Sequence, residues 1–153
     1  MPASSEQPRL AVNRKARRDY HVIERLEAGI ALLGTEVKAV RQAGVGFSGA
    51  FVRVENGEAV LLNLNIPPYE QGNRFNHEPT RPRRLLLHKR EIRRIEADSE
   101  QKGLSLIPLA LYLKHGRVKI ELGVCRGKRQ YDKRETLRRK TADRETARAM
   151  KRR

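Results

Sequence analysis

The chain has 153 residues, with 34 Lys and Arg against 18 Asp and Glu and a formal net charge of +16. An excess that large repels itself in a compact state, so it points to a polyanionic partner, nucleic acid or an anionic membrane, rather than to a role in stability. No run approaches the roughly 18 apolar residues of a membrane span, and the first residues, MPASSEQPRLAVNRK, hold no signal-like apolar core, so a cytoplasmic protein is expected. The single cysteine, Cys125, allows neither an internal disulfide nor a cysteine-based zinc cluster, and it is expected to be a small packed residue.

The charge is unevenly placed. Residues 126–153 hold 13 Lys and Arg and 4 Asp and Glu, a net of +9, whereas residues 1–125 hold 21 and 14, a net of +7. The division this suggests is a disordered N-terminus over residues 1–12, a compact body over 13–125 and a basic tail over 126–153.

Residues 13–18 form a basic run. Tyr20 to Leu26 alternates and is predicted to be a strand, which Gly29 breaks; Ile30 to Leu33 can pair back as a second strand. Thr35 can cap a short helix, TEVKAVRQ, with Val37 and Val40 on one face. FVRVE and EAVLLNLNI flank Asn56-Gly57, the favoured type I′ hairpin turn because both residues tolerate positive φ. Pro67 and Pro68 end that hairpin, and a long polar loop follows to Arg83, of a length that is usually functional or disordered. Leu85 to Leu87 is a short apolar run. HKREIRRIEADSEQK is then a helix, with Ile92 and Ile95 inward and Gly103 as its stop.

Residues 104–113 and 117–125 form a second hairpin around His115-Gly116. In its last strand Val118, Ile120, Leu122 and Val124 alternate with Lys119, Glu121, Gly123 and Cys125, which predicts one buried and one polar face. The body is therefore mainly β, about six antiparallel strands with short flanking helices. A small sheet of this kind hides its edges by closing, and an OB-fold-like barrel is the economical closure. The tail has no core-facing stripe but good helix formers, so it is expected to be disordered when free and helical when bound.

No phosphate-binding glycine loop, HExxH or GxSxG is present, so no enzyme, cofactor or metal is expected. His77-Glu78-Pro79 is the nearest approach to a metal or acid–base site and lacks a second ligand. Aromatics interleave with the charge: Tyr20 beside Arg17 and Arg18, Phe75 beside Arg74, Tyr131 beside Arg129 and Lys133. Each can stack on an unpaired base. A single basic run is also what a solvated face looks like; three with adjacent aromatics favour RNA. The tail carries Ala and Thr where a membrane-surface helix would carry bulky apolar residues, so no membrane partner is expected.

NRKARRDY, LEAGIALLGTEVKAVR, YEQGNRFNHEPTRPRRLLLHKREI and GVCRGKRQYDKRETLRRK resemble, in order and spacing, motifs of the SsrA-binding protein family, SmpB, from about Asn13 to Arg153. The resemblance implies an OB-fold-like barrel, transfer-messenger RNA as partner through its tRNA-like domain, and delivery of that RNA to ribosomes stalled on non-stop messages. It implies RNA contact by Asn13, Arg17, Glu27, Leu86 and His88, to which the aromatic pattern adds Tyr20. Family members often carry Asn where this chain has His88. An acidic Glu27 on such a surface could orient an Arg or accept from a base amino group while disfavouring phosphate; it could equally form a local ion pair in its turn.

In the tail the resemblance implies ribosome contact by Arg126, Gly127 as hinge, Lys128, Arg129, Tyr131, Asp132, Lys133, Arg134, Met150 and Lys151. These would occupy the vacant decoding centre and message channel of the small subunit. A monomer is expected. A general RNA chaperone built on the same body and tail, or an RNA-acting enzyme using His77 or His88, is the competing expectation.

Overall fold

The computed structural model describes residues 9–69 and 76–128. Seven strands and three helices follow in chain order: β1 (Arg9–Val12), α1 (Arg14–Asp19), β2 (Tyr20–Ile30), α2 (Gly34–Ala43), β3 (Phe51–Glu55), β4 (Glu58–Leu62), β5 (Arg83–Leu86), α3 (Lys89–Lys102), β6 (Ser105–Lys114) and β7 (Arg117–Gly127). They form one antiparallel sheet in the order β1-β6-β7-β2-β5-β4-β3. The sheet curls until β3 comes back against β6. Six strands thus make the expected mainly β, OB-like, partly open barrel, and β1 is an added seventh along the second half of β6.

Both hairpins form where the turn residues place them. Asn56 and Gly57 have φ of 52° and 75°, and His115 and Gly116 repeat those values, as type I′ turns require. Inside the barrel lie Leu61, Leu64, Ile66, Ile95, Leu111, Ile120 and Leu122, all fully buried. Helices α2 and α3 close over this core with Val40, Ile92 and Ile95.

Four elements differ from the sequence expectation. Gly29 does not break β2: the strand continues to Ile30, and the Ala31 N–H donates to Arg84 O at 2.9 Å, so no second strand forms there. The glycine has a packing cause, since a Cβ there would lie 3.1 Å from Leu86 Cβ. Residues 9–12, expected to be disordered, pair with β6 from Arg9↔Tyr112 to Val12↔Ala110. Residues 14–19 are helical. Finally, the second half of β7 is buried on both faces, because Ala16 of α1 covers Ile107, Leu109 and Cys125 on the outside of the sheet. Burial pushes the Cys125 thiol up to about 11, which makes it inert at neutral pH.

The polar segment before β5 is anchored by a buried charge network. Glu36 of α2 and Arg83 of β5 are both fully buried, with Arg83 Nε donating to Glu36 Oε2 at 2.6 Å. Arg83 also donates to Leu64 O at 2.7 Å and to Pro79 O at 3.0 Å. Arg81 Nη2 donates to Glu36 Oε1 at 2.5 Å, and the Leu33 N–H donates to the same oxygen at 2.7 Å. Burial alone would raise the Glu36 pKa, but these donors outweigh it and hold the carboxyl below its usual 4.5.

The linkage follows from that direction. A lowered folded pKa gives stability that is complete above the unfolded value and is lost as pH falls through the folded one. Denaturant midpoints measured on the acid side of 4.5 are expected to fall steeply for the wild-type chain. For Glu36→Gln they are expected to fall less steeply, from a lower starting value at neutral pH. Equal slopes for the two proteins would remove Glu36 as a source of acid sensitivity.

Candidate nucleic-acid interface

Three of the sequence-selected residues, Glu27, Leu86 and His88, line one concavity of about 580 Å³ on the outer face of the sheet. Alternation along β5 sends Arg83 and Leu85 inward and Arg84 and Leu86 outward. Leu86 is 52% exposed, an isolated large apolar side chain lying across Gly29 of the neighbouring strand. His88 is the N-cap of α3, and its backbone N–H donates to Glu91 Oε1 at 3.1 Å. Arg84, Lys89 and Lys119 stand in the wall together with Glu58 and Glu91. An apolar platform with cations on its rim can take an unstacked base with its flanking phosphates.

Glu27 lies in the middle of β2, not in a turn as the LEAG motif suggested, opposite Glu121 of β7. Its carboxylate reaches over β7 to β6. Tyr112 Oη donates to Oε2 at 2.5 Å and Lys114 Nζ to Oε1 at 3.1 Å. The Tyr112 hydrogen bond is the largest cause of a lowered Glu27 pKa, with Lys114 and Lys119 acting in the same direction against partial burial.

Arg17 and Tyr20 belong to a second cluster at the other end of β2. At roughly 3.3 Å per residue, the seven residues from Tyr20 to Glu27 put the clusters about 23 Å apart. Arg14, Lys15, Arg17 and Arg18 of α1 are exposed. The Tyr20 side chain packs with Val22 and Phe51 against the Ala16 cluster. Asn13 is buried and turned inward: Oδ1 accepts from the Ala16 N–H at 3.1 Å and Nδ2 donates to Pro108 O at 2.8 Å. It is the cap that orients α1, so any effect on RNA comes through that helix.

Arg126 and Gly127, the latter expected as a hinge, both lie within the sheet. They are the last residues of β7, paired with His21 and Tyr20. Lys128 Nζ donates to Arg17 O at 3.1 Å, so the last described residue lies beside α1. Arg129, Tyr131, Asp132, Lys133, Arg134, Met150 and Lys151 lie outside the described residues, as does the pairing of Phe75 with Arg74.

His77 sits in a structural bond pair. Nε2 meets Ile66 O at 2.9 Å, so that nitrogen carries the proton, and Nδ1 meets the Thr35 hydroxyl at 3.0 Å as acceptor. Among the described residues no helix is long and apolar enough to cross a membrane. Tyr112 and Lys114 were not selected from the sequence; a strand of buried apolar residues gives no sign that two of its members reach a carboxylate on another strand.

The family model described as SmpB protein matches residues 10–152. The SsrA-binding protein of Carboxydothermus hydrogenoformans is 56% identical over 142 residues, covering 93% of this chain and 95% of the relative. That of Shouchella clausii is 52% identical over 153 residues, covering 100% and 98%. A solved structure described as "tmRNA-SmpB: a journey to the center of the bacterial ribosome" contains a chain 53% identical to this one, with a TM-score of 0.67 over 77% of this chain and 83% of that one. A family-model match over almost the whole length, with relatives more than half identical, means that the chain belongs to the SmpB family of SsrA-binding proteins.

Proposed function

We propose that this protein is a non-enzymatic RNA-binding factor of trans-translation. It binds transfer-messenger RNA through the outer-face concavity and takes it to ribosomes stalled on messages without a stop codon. The observation that carries the reading is the convergence of Glu27, Leu86 and His88, from two strands and a helix cap, on one surface walled by Arg84, Lys89 and Lys119. The family and the described neighbour support the identity of the RNA and of the ribosome as partners. In the same reading the body ends near Lys128, and residues 129–153 enter the decoding centre and message channel.

Leu86→Ala is expected to weaken binding of the tRNA-like domain by roughly tenfold, the loss expected from removing an apolar side chain that a base would cover. Glu27→Arg should weaken it similarly by replacing an acceptor with a like charge among cations. Fluorescence anisotropy checks the affinity, and thermal unfolding should stay within a few degrees of wild type because Leu86 is half exposed. Excess bulk tRNA should compete poorly. Equal binding to any RNA would favour a general chaperone, and a collapsed transition in Leu86→Ala would make that residue structural.

A further inference from the structure

We propose that Tyr112 and Lys114 are positioning residues that fix the Glu27 carboxylate as an acceptor facing the concavity. The site then takes an RNA group bearing an N–H or O–H donor, a base amino group or a ribose 2′-hydroxyl, and turns phosphate away. This rests on the RNA-binding reading above and deepens it.

The geometry is specific. β7 lies between β2 and β6, yet Tyr112 and Lys114 both reach across it to the same carboxylate, at 2.5 Å and 3.1 Å. Tyr112 is itself 8% exposed, so its ring is held and its hydroxyl has one direction to point. Each carboxylate oxygen has about two acceptor sites. Oε1 accepts from Lys114 alone, whereas Oε2 accepts from Tyr112 and also from Lys114 at 3.4 Å, so acceptor capacity remains on Oε1, and the side chain is 39% exposed in the concavity wall. A fixed acceptor distinguishes a donor from an anion; a free carboxylate would swing towards the nearest cation.

The surrounding charges do not replace this clamp. On β7, Lys119 adds favourable field, while Glu121 opposes Glu27 directly and is paired with Arg25 at 3.2 Å. On the concavity walls stand Arg84, Glu58, His88, Lys89 and Glu91. Burial and the Glu27 charge push the Tyr112 phenol well above its usual value, so it stays a donor at any working pH.

The test uses the full chain and the tRNA-like domain of transfer-messenger RNA at fixed salt, between about pH 5 and 8. Wild type should bind with nearly constant affinity. Tyr112→Phe keeps the ring and should lose about tenfold, with a further loss towards the acid end because Glu27 protonates more readily. Lys114→Met should show the same trend more weakly, and Lys114→Arg should restore it. Binding of an unstructured RNA should stay the same or rise in Glu27→Gln.

Transcripts with 2′-deoxy loop nucleotides separate the two donors. If they erase the difference between wild type and Glu27→Gln, the donor is the hydroxyl; if they preserve it, the donor is a base amino group. Wild-type affinity and pH profile in Tyr112→Phe, alongside a loss in Glu27→Gln, would overturn the clamp and leave the RNA-binding reading standing. A wild-type chain with no preference for the tRNA-like domain over bulk tRNA would overturn both.

Discussion

Arg83→Met is expected to cost about 3–5 kcal/mol, the range for removing one partner of a buried ion pair, and to lower the melting temperature by roughly 10–20 °C. Arg83 is fully buried and makes three bonds at once, to Glu36, Leu64 O and Pro79 O. Methionine fills the volume and supplies no donor. The fully buried Glu36 carboxylate keeps Arg81 as a cation, but Arg81 is partly exposed, and two backbone carbonyls are left without their guanidinium. Circular-dichroism melting checks the loss. A double-mutant cycle with Glu36→Gln should show strong coupling, because each single change strands the other group. A melting point within a few degrees of wild type would mean that water enters and replaces the guanidinium.

The effect should extend to RNA binding through β5. Arg83 and Leu86 share that four-residue strand, Arg83 inward and Leu86 outward. The buried network therefore fixes the position of the exposed platform. The PTRPRR segment closes the long polar loop that was expected to be functional or disordered. Its Arg81 and Arg83 are structural, and nothing local reveals this, because their anion is Glu36 on α2.

Legibility followed the range of the cause. Asn56-Gly57, His115-Gly116 and the Ile92/Ile95 helix with Gly103 as stop are set by residues within a turn of one another, and each formed where expected. Elements set by distant contacts were misread. Gly29 looks like a strand breaker until Leu86 is seen to lie over it. RLAV at residues 9–12 has too few residues to signal a strand, and β6 supplies the pairing. RKARRD has one buried residue, Ala16, and no periodicity; its helix hangs on the Asn13 cap. At the site, Glu27, Leu86 and His88 were found through the family motifs. Their convergence, and the part played by Tyr112 and Lys114 some 85 and 87 residues from Glu27, required the fold.

Deleting residues 132–153 is expected to abolish tagging on stalled ribosomes while leaving affinity for the tRNA-like domain within about threefold. Every residue of the proposed RNA surface lies before the deleted segment, from Glu27 to Lys119. The deleted segment holds 10 Lys and Arg and 4 Asp and Glu, so its removal should lower non-specific binding and flatten the salt dependence. The truncation keeps Arg126, Gly127 and Lys128, and with them the bond from Lys128 to Arg17 O. Tagging of a reporter from a non-stop message and anisotropy with the tRNA-like domain, on the same preparation, separate the two functions. Retained tagging would relieve the tail of its ribosomal task. Lost RNA affinity would move the RNA-reading surface out of the barrel and into the tail.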